Sequence, residues 1–317
     1  MKILCITPID HLPEVKRELS SLGDLCVRDD PSFEDIIEDL KTADIIFTNP
    51  NKSKIFLGKD IVEGAPNLKI ICTASTGTNH IDKQLMQSID IKVLSITKEK
   101  NITNKISSTA EHALALTLSS VRSIPQSFQS VKNGEWDYTP YIGRQFDTLN
   151  IGIVGLGRLG GMYARFMKPL ANKISFYDPF VSSASSWIEK VDSINELFYE
   201  SDIVSLHVHV DDDTIGLVDK EVLNHAKKNL LLVNTSRGEI VNEDDVIGFL
   251  KENKYAKYAT DVLKDEVKIG DKGDNLLVKF ANASNQVLIT PHIGGMTYEA
   301  QNMAYGHAVS LLKNELN

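Results

Sequence analysis

Cysteine is scarce in this chain: three in 317 residues, at Cys5, Cys26 and Cys72. No two are spaced C-x-x-C, which excludes a thiolate metal cage and a dithiol redox motif. So few thiols suit a reducing compartment, where they stay reduced and buried. Long apolar runs are also missing. Nothing approaches the ~20 residues that a membrane-spanning helix needs. The N-terminal MKILCITPIDHLPE turns polar after about six apolar-rich positions, too soon for a secretory signal. Positive charge is in deficit, with 34 Lys and Arg against 43 Asp and Glu, a formal charge of −9. That balance argues against nucleic acid or an anionic membrane as a main partner. No low-complexity linker and no repeat of solenoid period interrupts the chain. These absences leave a soluble, cytoplasmic globular protein, 42% hydrophobic and long enough for two domains.

Short apolar runs alternate with amphipathic stretches. KILCIT (2–7), ADIIFT (43–48), LKIICT (68–73) and IKVLSI (91–96) read as buried strands, with helices expected at 13–22 and 31–40 between them. A second series, IGIVGLG (151–157), KISFYD (173–178), IVSLHV (203–208), NLLLVNTS (229–236), YAKYATDV (255–262) and QVLIT (286–290), follows a long amphipathic stretch at 107–124 and an irregular one at 132–150. Ser108 with Glu111, and Ser193 with Glu196, fit helix capping boxes. Strand–helix alternation of this kind predicts an α/β protein with two doubly wound parallel sheets. The closing stretch 297–316 is too short for a domain and must pack on one already made. The expected division is 1–103 plus 291–317 against 104–290.

In IGIVGLGRLGG, Gly155, Gly157 and Gly160 make G-x-G-x-x-G between a β-branched strand and a helical pattern. The bare pattern is weak. Its context is a dinucleotide-binding βαβ unit, with a second strand ending at Asp178, 18 residues past Gly160. Gly155 serves the tight turn, Gly157 the approach of backbone to pyrophosphate, and Gly160 the close packing of helix on strand. The pyrophosphate is expected at the helix N-terminus. A carboxylate at Asp178 accepts from ribose hydroxyls and repels a 2′-phosphate, favouring NAD over NADP.

NTSRGE (234–239), TDVLKDE (260–266) and TPHIGG (290–295) put Arg237, Glu266 and His292 just past three successive predicted strands. Ligands of doubly wound sheets bind at such ends. A guanidinium forks onto a carboxylate, and an imidazole fixed on a constrained loop suits acid–base work. Each residue alone is more often a surface ion pair; their joint placement favours a site.

Taken with STGTNHID (75–82) and STAEHALALTL (108–118), these motifs resemble the D-isomer-specific 2-hydroxyacid dehydrogenases over nearly the whole chain. The resemblance implies a Rossmann cofactor domain and a smaller flavodoxin-like substrate domain, with NAD-dependent hydride transfer to or from C2 of a small 2-oxo or 2-hydroxy acid of D configuration. It implies that Arg237 binds the substrate carboxylate and polarises the C2 oxygen, and that His292 is the acid–base group. Glu266 would fix the His292 tautomer and raise its pKa. Ser75, Thr76 and Gly77 would hold the substrate carboxylate. Arg158, Leu159, His207, Thr214, Thr235, Asp261 and Gly294 would join the three glycines, Asp178 and His292 around the cofactor. A homodimer is implied, with 107–124 and 132–150 as candidate interface.

Departures are visible. His209 stands where the family usually has proline; a metal held by His207 and His209 lacks a third ligand, and none is expected. Val267 replaces the proline usual after the catalytic glutamate, and 268–285 looks longer than usual, leaving Asp265 as the only nearby substitute for Glu266. Glu111 and His112 need no role beyond capping and packing. TNPNKSKIF (48–56) offers Asn49, Asn51, Lys52, Ser53 and Lys54 but no arginine, which disfavours phosphoglycerate as substrate; no further C-terminal regulatory domain is expected. The alternatives are a phosphoglycerate dehydrogenase, an NAD(H)-sensing corepressor-like protein of the same fold, and an inactive relative. The last is disfavoured because all three catalytic candidates are present.

Overall fold

The computed structural model describes residues 1–49, 55–78, 80–266 and 272–317. Asn51, Lys52, Ser53, Lys54 and Val267 lie outside them, as does the start of the long 268–285 segment. The chain divides into two compact units, Met1–Ile106 with Gly295–Asn317, and Ser107–Gly294. The crossings fall a few residues later than the sequence pattern suggests. Ser107 already caps the first helix of the second unit, and the turn at 290–294 is tied to Asp261 of that unit.

Among the described residues the first unit holds five parallel strands: β1 (Lys2–Cys5), β2 (Asp24–Val27), β3 (Ile45–Thr48), β4 (Ile70–Thr73) and β5 (Lys92–Ser95), in the order β2-β1-β3-β4-β5. This is the flavodoxin-like order. All four residues of β3 and of β4 are buried, as a parallel sheet covered on both faces requires. β2 was not expected from the sequence. It is an edge strand whose DLCV is nowhere fully buried. Helix Pro13–Leu22 starts with proline in its first turn, where the missing N–H has no intrahelical partner to lose. Its Val15 and Leu19, four apart, face the core. Ser32 and Asp35 close a reciprocal capping box on helix Phe33–Leu40. The last helix, Tyr298–Leu316, inserts Ala304, Tyr305, Ala308, Val309 and Leu312 into the same core as Ile3, Cys5 and Phe47.

The second unit holds β6 (Asn150–Val154), β7 (Lys173–Tyr177), β8 (Glu189–Lys190), β9 (Ile203–Leu206), β10 (Leu231–Asn234), β11 (Lys257–Thr260) and β12 (Val287–Ile289). All are parallel, in the order β12-β11-β10-β9-β6-β7-β8. The chain reverses direction across the sheet between β6 and β9, the switch point where doubly wound folds take nucleotides. Phe176, Phe198 and Tyr258 are at most 1% exposed, each contributing roughly 1.5–3 kcal/mol of burial. Between Lys132, the end of helix Ile124–Lys132, and Asn150, the start of β6, the chain carries short 3-10 turns, Thr139–Tyr141 and Phe146–Thr148.

Both expected capping boxes need correction. Helix Ser108–Val121 is capped by Ser107, whose own backbone is helical and whose hydroxyl donates to Glu111 one turn on. That hydroxyl caps no backbone N–H, and Ser108 is already inside the helix. Ser193 does accept the N–H of Glu196, but Glu196 returns to the N–H of Asp192, one residue before the cap. At the other end of Ser108–Val121, the Lys257 ammonium donates to the carbonyl of Ser120 and the hydroxyl of Ser123, both at 2.7 Å. A cation there also opposes the negative end of the helix dipole. Among the described residues no helix is long and apolar enough to cross a membrane.

Candidate active site

β10, β11 and β12 lie side by side, so the segments that follow them share one edge of the sheet. Arg237, Glu266 and His292 lie on those segments. His292 Nδ1 and Glu266 Oε1 are 2.6 Å apart, both side chains about a quarter exposed. A carboxylate can only accept, so Nδ1 carries the hydrogen and Nε2 is the ring nitrogen left to gain or lose a proton. Glu266, not Asp265, makes this contact. His292 has φ of +55°, a left-handed conformation uncommon outside glycine.

Asp261 enforces that conformation. It is 2% exposed and accepts from the Thr290 hydroxyl (2.6 Å), Ile293 N–H (2.9 Å) and Gly294 N–H (2.7 Å). His112 Nε2 adds contacts of 3.3 Å to Asp261 and 2.8 Å to Thr290. Burial alone would raise the Asp261 carboxyl; the hydrogen bonds of His112, Thr290, Ile293 and Gly294 outweigh it and hold it below the ordinary range. Asp261 and Gly294, expected at the cofactor, also brace the histidine turn. His112 was missed by sequence reading. Its only signal is a histidine within helix Ser108–Val121, and its partners lie 149 and 178 residues away.

Arg237 donates one guanidinium N–H to Ser236 O at 2.6 Å, and its own carbonyl accepts from Asn234 at 2.8 Å. Next to it, Gly238 lies so close to the following loop that a Cβ would fall 2.0 Å from the Leu263 carbonyl carbon and 2.1 Å from Lys264 N. The arginine loop and the Glu266 loop are therefore in backbone contact.

The glycine turn after β6 fits a dinucleotide. Gly155 has φ of +87°, and a Cβ on Gly160 would lie 2.1 Å from the Gly155 carbonyl oxygen. At Gly157 nothing stands within 4 Å of that position, so the backbone ahead of helix Arg158–Met167 is open to a ligand. Leu159 is half-buried against the unit's core, and desolvation holds the half-buried Arg158 below the usual arginine range. Asp178 accepts from Leu156 N–H and Phe180 N–H, both at 2.9 Å, bracing the glycine turn against the end of β7. Buried Thr235 Oγ1 and His207 Nδ1 have no hydrogen-bond partner among the described residues, as expected where a polar ligand completes the set. The Thr214 hydroxyl donates to the His209 carbonyl at 2.6 Å and accepts from the Asp211 N–H at 2.8 Å.

The His207 tautomer can be read from its neighbours. Thr117 donates to Ala113 O and so accepts from Tyr163 OH. Tyr163 in turn accepts from Ser205, leaving Ser205 to accept from His207 Nε2 at 2.9 Å. Burial pushes the imidazole down to about 3, against about 6.5 when unfolded. Between those values the unfolded chain binds a proton that the folded one refuses. Stability from the neutral ring is complete above pH 6.5 and is lost as pH falls toward 3, by up to about 1.4 kcal/mol per pH unit. His207→Phe is expected to flatten this acid limb in urea midpoints measured from pH 7 to 4; an unchanged slope would refute the assignment.

In the first unit, Ser75 Oγ donates to Gly77 O at 2.5 Å, and Thr97 donates to Thr76 O at 2.8 Å, which fixes the 75–77 turn. Asn79 lies outside the described residues. Among those described, no three His, Cys, Asp or Glu side chains are grouped as a metal would need, and His209 is exposed.

The family model for the D-isomer specific 2-hydroxyacid dehydrogenase NAD-binding domain matches residues 114–294. D-3-phosphoglycerate dehydrogenase of Methanocaldococcus jannaschii is 32% identical over 307 residues, 96% of this chain and 55% of that protein. Hydroxypyruvate reductase of Blautia hydrogenotrophica is 29% identical over 312 residues, covering 94% and 91%. The structure of NAD-dependent formate dehydrogenase from Staphylococcus aureus, in complex with NAD, superposes with a TM-score of 0.84 at 26% identity, covering 100% and 96%. The chain spans about half the length of the phosphoglycerate dehydrogenases it matches.

Proposed function

The chain belongs to the D-isomer-specific 2-hydroxyacid dehydrogenase family, with that family's NAD-binding domain at 114–294, and we propose that it interconverts a small D-2-hydroxy acid and its 2-oxo acid. The observation that carries this reading is the 2.6 Å contact of His292 with Glu266 beside the Arg237 loop. Bound NAD supplies the hydride acceptor, and NADH the donor. With Nδ1–H held by Glu266, the doubly protonated imidazole gives its Nε2 proton to the developing C2 alkoxide in reduction. The neutral ring takes that proton from the C2 hydroxyl in oxidation. The Arg237 guanidinium binds the carboxylate bidentately and stabilises negative charge on the C2 oxygen, and Ser75, Thr76 and Gly77 add substrate contacts. Gly155, Gly157, Arg158, Leu159, Gly160, Asp178, His207 and Thr235 hold the dinucleotide.

Phosphoglycerate is the second reading, favoured by the identity to D-3-phosphoglycerate dehydrogenases. A panel of glyoxylate, pyruvate, hydroxypyruvate and phosphohydroxypyruvate, each with NADH and NADPH, separates the two. Turnover with NADH is expected, and failure with every acid would sink both. A homodimer in the cytoplasm belongs to the same proposal. Phe128, Trp136, Tyr138 and Ile142 are 64–91% exposed, and apolar surface grouped along one stretch of chain marks an interface. Light scattering at the mass of a single chain would refute it.

A further inference from the structure

We propose that Glu243 and Asn275 form a clamp that positions Glu266 against His292, an inference that rests on reading that pair as the acid–base centre. Glu243 opens helix Glu243–Glu252, yet is only 9% exposed. One of its oxygens accepts the N–H of Lys264 at 2.9 Å, two residues before Glu266. The other accepts Asn275 Nδ2 at 3.0 Å. Asn275 is 8% exposed and cannot turn round. Its Oδ1 accepts the N–H groups of Leu277 and Val278, at 2.8 and 3.1 Å, capping helix Leu276–Ala283. Its amide nitrogen must therefore face Glu243, which has to accept on both oxygens. A carboxylate does this and an amide does not.

The surrounding contacts have one direction. Asp265 N–H reaches Glu239 Oε1 at 3.3 Å, and Leu263 N–H reaches Glu266 Oε2 at 3.4 Å. Asp265 sits at φ of +54°, a conformation that persists only when the surroundings impose it. Residues 263–266 are thus held from outside by Glu239, Glu243 and the backbone at Gly238, while Glu266 spends Oε1 on His292. Glu243 and Asn275 touch no reacting atom. They act through the backbone that carries Glu266.

The hydrogen-bond polarity supplies the test. Glu243→Gln keeps the shape but sets one amide nitrogen against another. Asn275→Asp sets two carboxylates face to face. The double variant restores pairing with the polarity reversed: the introduced amide oxygen accepts from Lys264, and its nitrogen donates to the introduced carboxylate, whose second oxygen still caps the helix. Each single variant is expected to lower kcat by up to about a hundredfold, the cost that an ångström of misplacement can carry, with NADH affinity unchanged. The double variant should return to within about threefold of the parent. Imidazole ¹⁵N signals of His292, identified by their loss in His292→Asn, should shift in each single variant and return in the double. Unshifted signals in Glu243→Gln, or single defects that the double variant leaves unrepaired, would overturn the clamp. A parent chain that binds NADH but reduces no 2-oxo acid would refute the proposed function, while the imidazole signals still decide the clamp.

Discussion

His292→Asn is expected to lower kcat for 2-oxo acid reduction by about 10²–10⁴-fold, the usual worth of a positioned acid–base group, with little change in NADH affinity. Asparagine is the informative substitute because the backbone at 292 is left-handed, and asparagine enters that region more readily than most side chains. Its amide donates a hydrogen bond but transfers no proton at neutral pH. The turn should therefore survive, held by Asp261 through the Thr290 hydroxyl and the N–H groups of Ile293 and Gly294. Steady-state rates beside NADH fluorescence titration separate chemistry from binding. A kcat within tenfold of the parent would remove His292 from the mechanism.

The second large effect comes from one methyl group. Gly238→Ala puts a Cβ about 2 Å from backbone atoms of Leu263 and Lys264, with no flexible side chain to swing away. The loops bearing Arg237 and Glu266 would have to separate, and overpacking of this kind costs typically 1–3 kcal/mol and sometimes more. We expect loss of measurable turnover with a thermal midpoint lower by several degrees. Gly248→Ala is the control. Gly248 lies within helix Glu243–Glu252 with open space around it, so alanine there should stabilise by about 0.5–1 kcal/mol. Equal behaviour of the two variants in calorimetry and turnover would refute the close-contact argument.

The same contrast explains what the sequence reveals. Buried strands such as IIFT and IICT are continuous apolar runs, and their neighbours in the sheet follow from strand–helix alternation. β2 escapes because an edge strand with half-buried side chains has no such run. At 107–111, Ser107 and Ser108 sit side by side, so spacing alone assigns the cap to the wrong hydroxyl. Arg237, Glu266 and His292 are legible because each follows a readable strand. The residues that hold them in place are not. Asp261 is expected from the sequence as a cofactor contact, and nothing in its strand-end position signals its bonds to the Thr290–Gly294 turn. Glu243 begins an acidic EDD at a helix start, a pattern that on its own needs only the helix dipole. Its partner Asn275 lies 32 residues on, and no periodicity encodes that pairing.

The interleaving of the two units has a consequence for biogenesis. The core around Ile3, Cys5 and Phe47 lacks Tyr305, Ala308 and Leu312 until the last helix is made. On the ribosome, the inserted unit is complete before the one that encloses it in sequence. At about 5–20 residues per second, the earliest strands wait on the order of ten seconds or more for the segment that seals them. Nascent Ile3, Ile45 and Phe47 would meanwhile depend on chaperones, and a premature stop before residue 298 would strand the amino-terminal half while leaving the nucleotide-binding half able to fold.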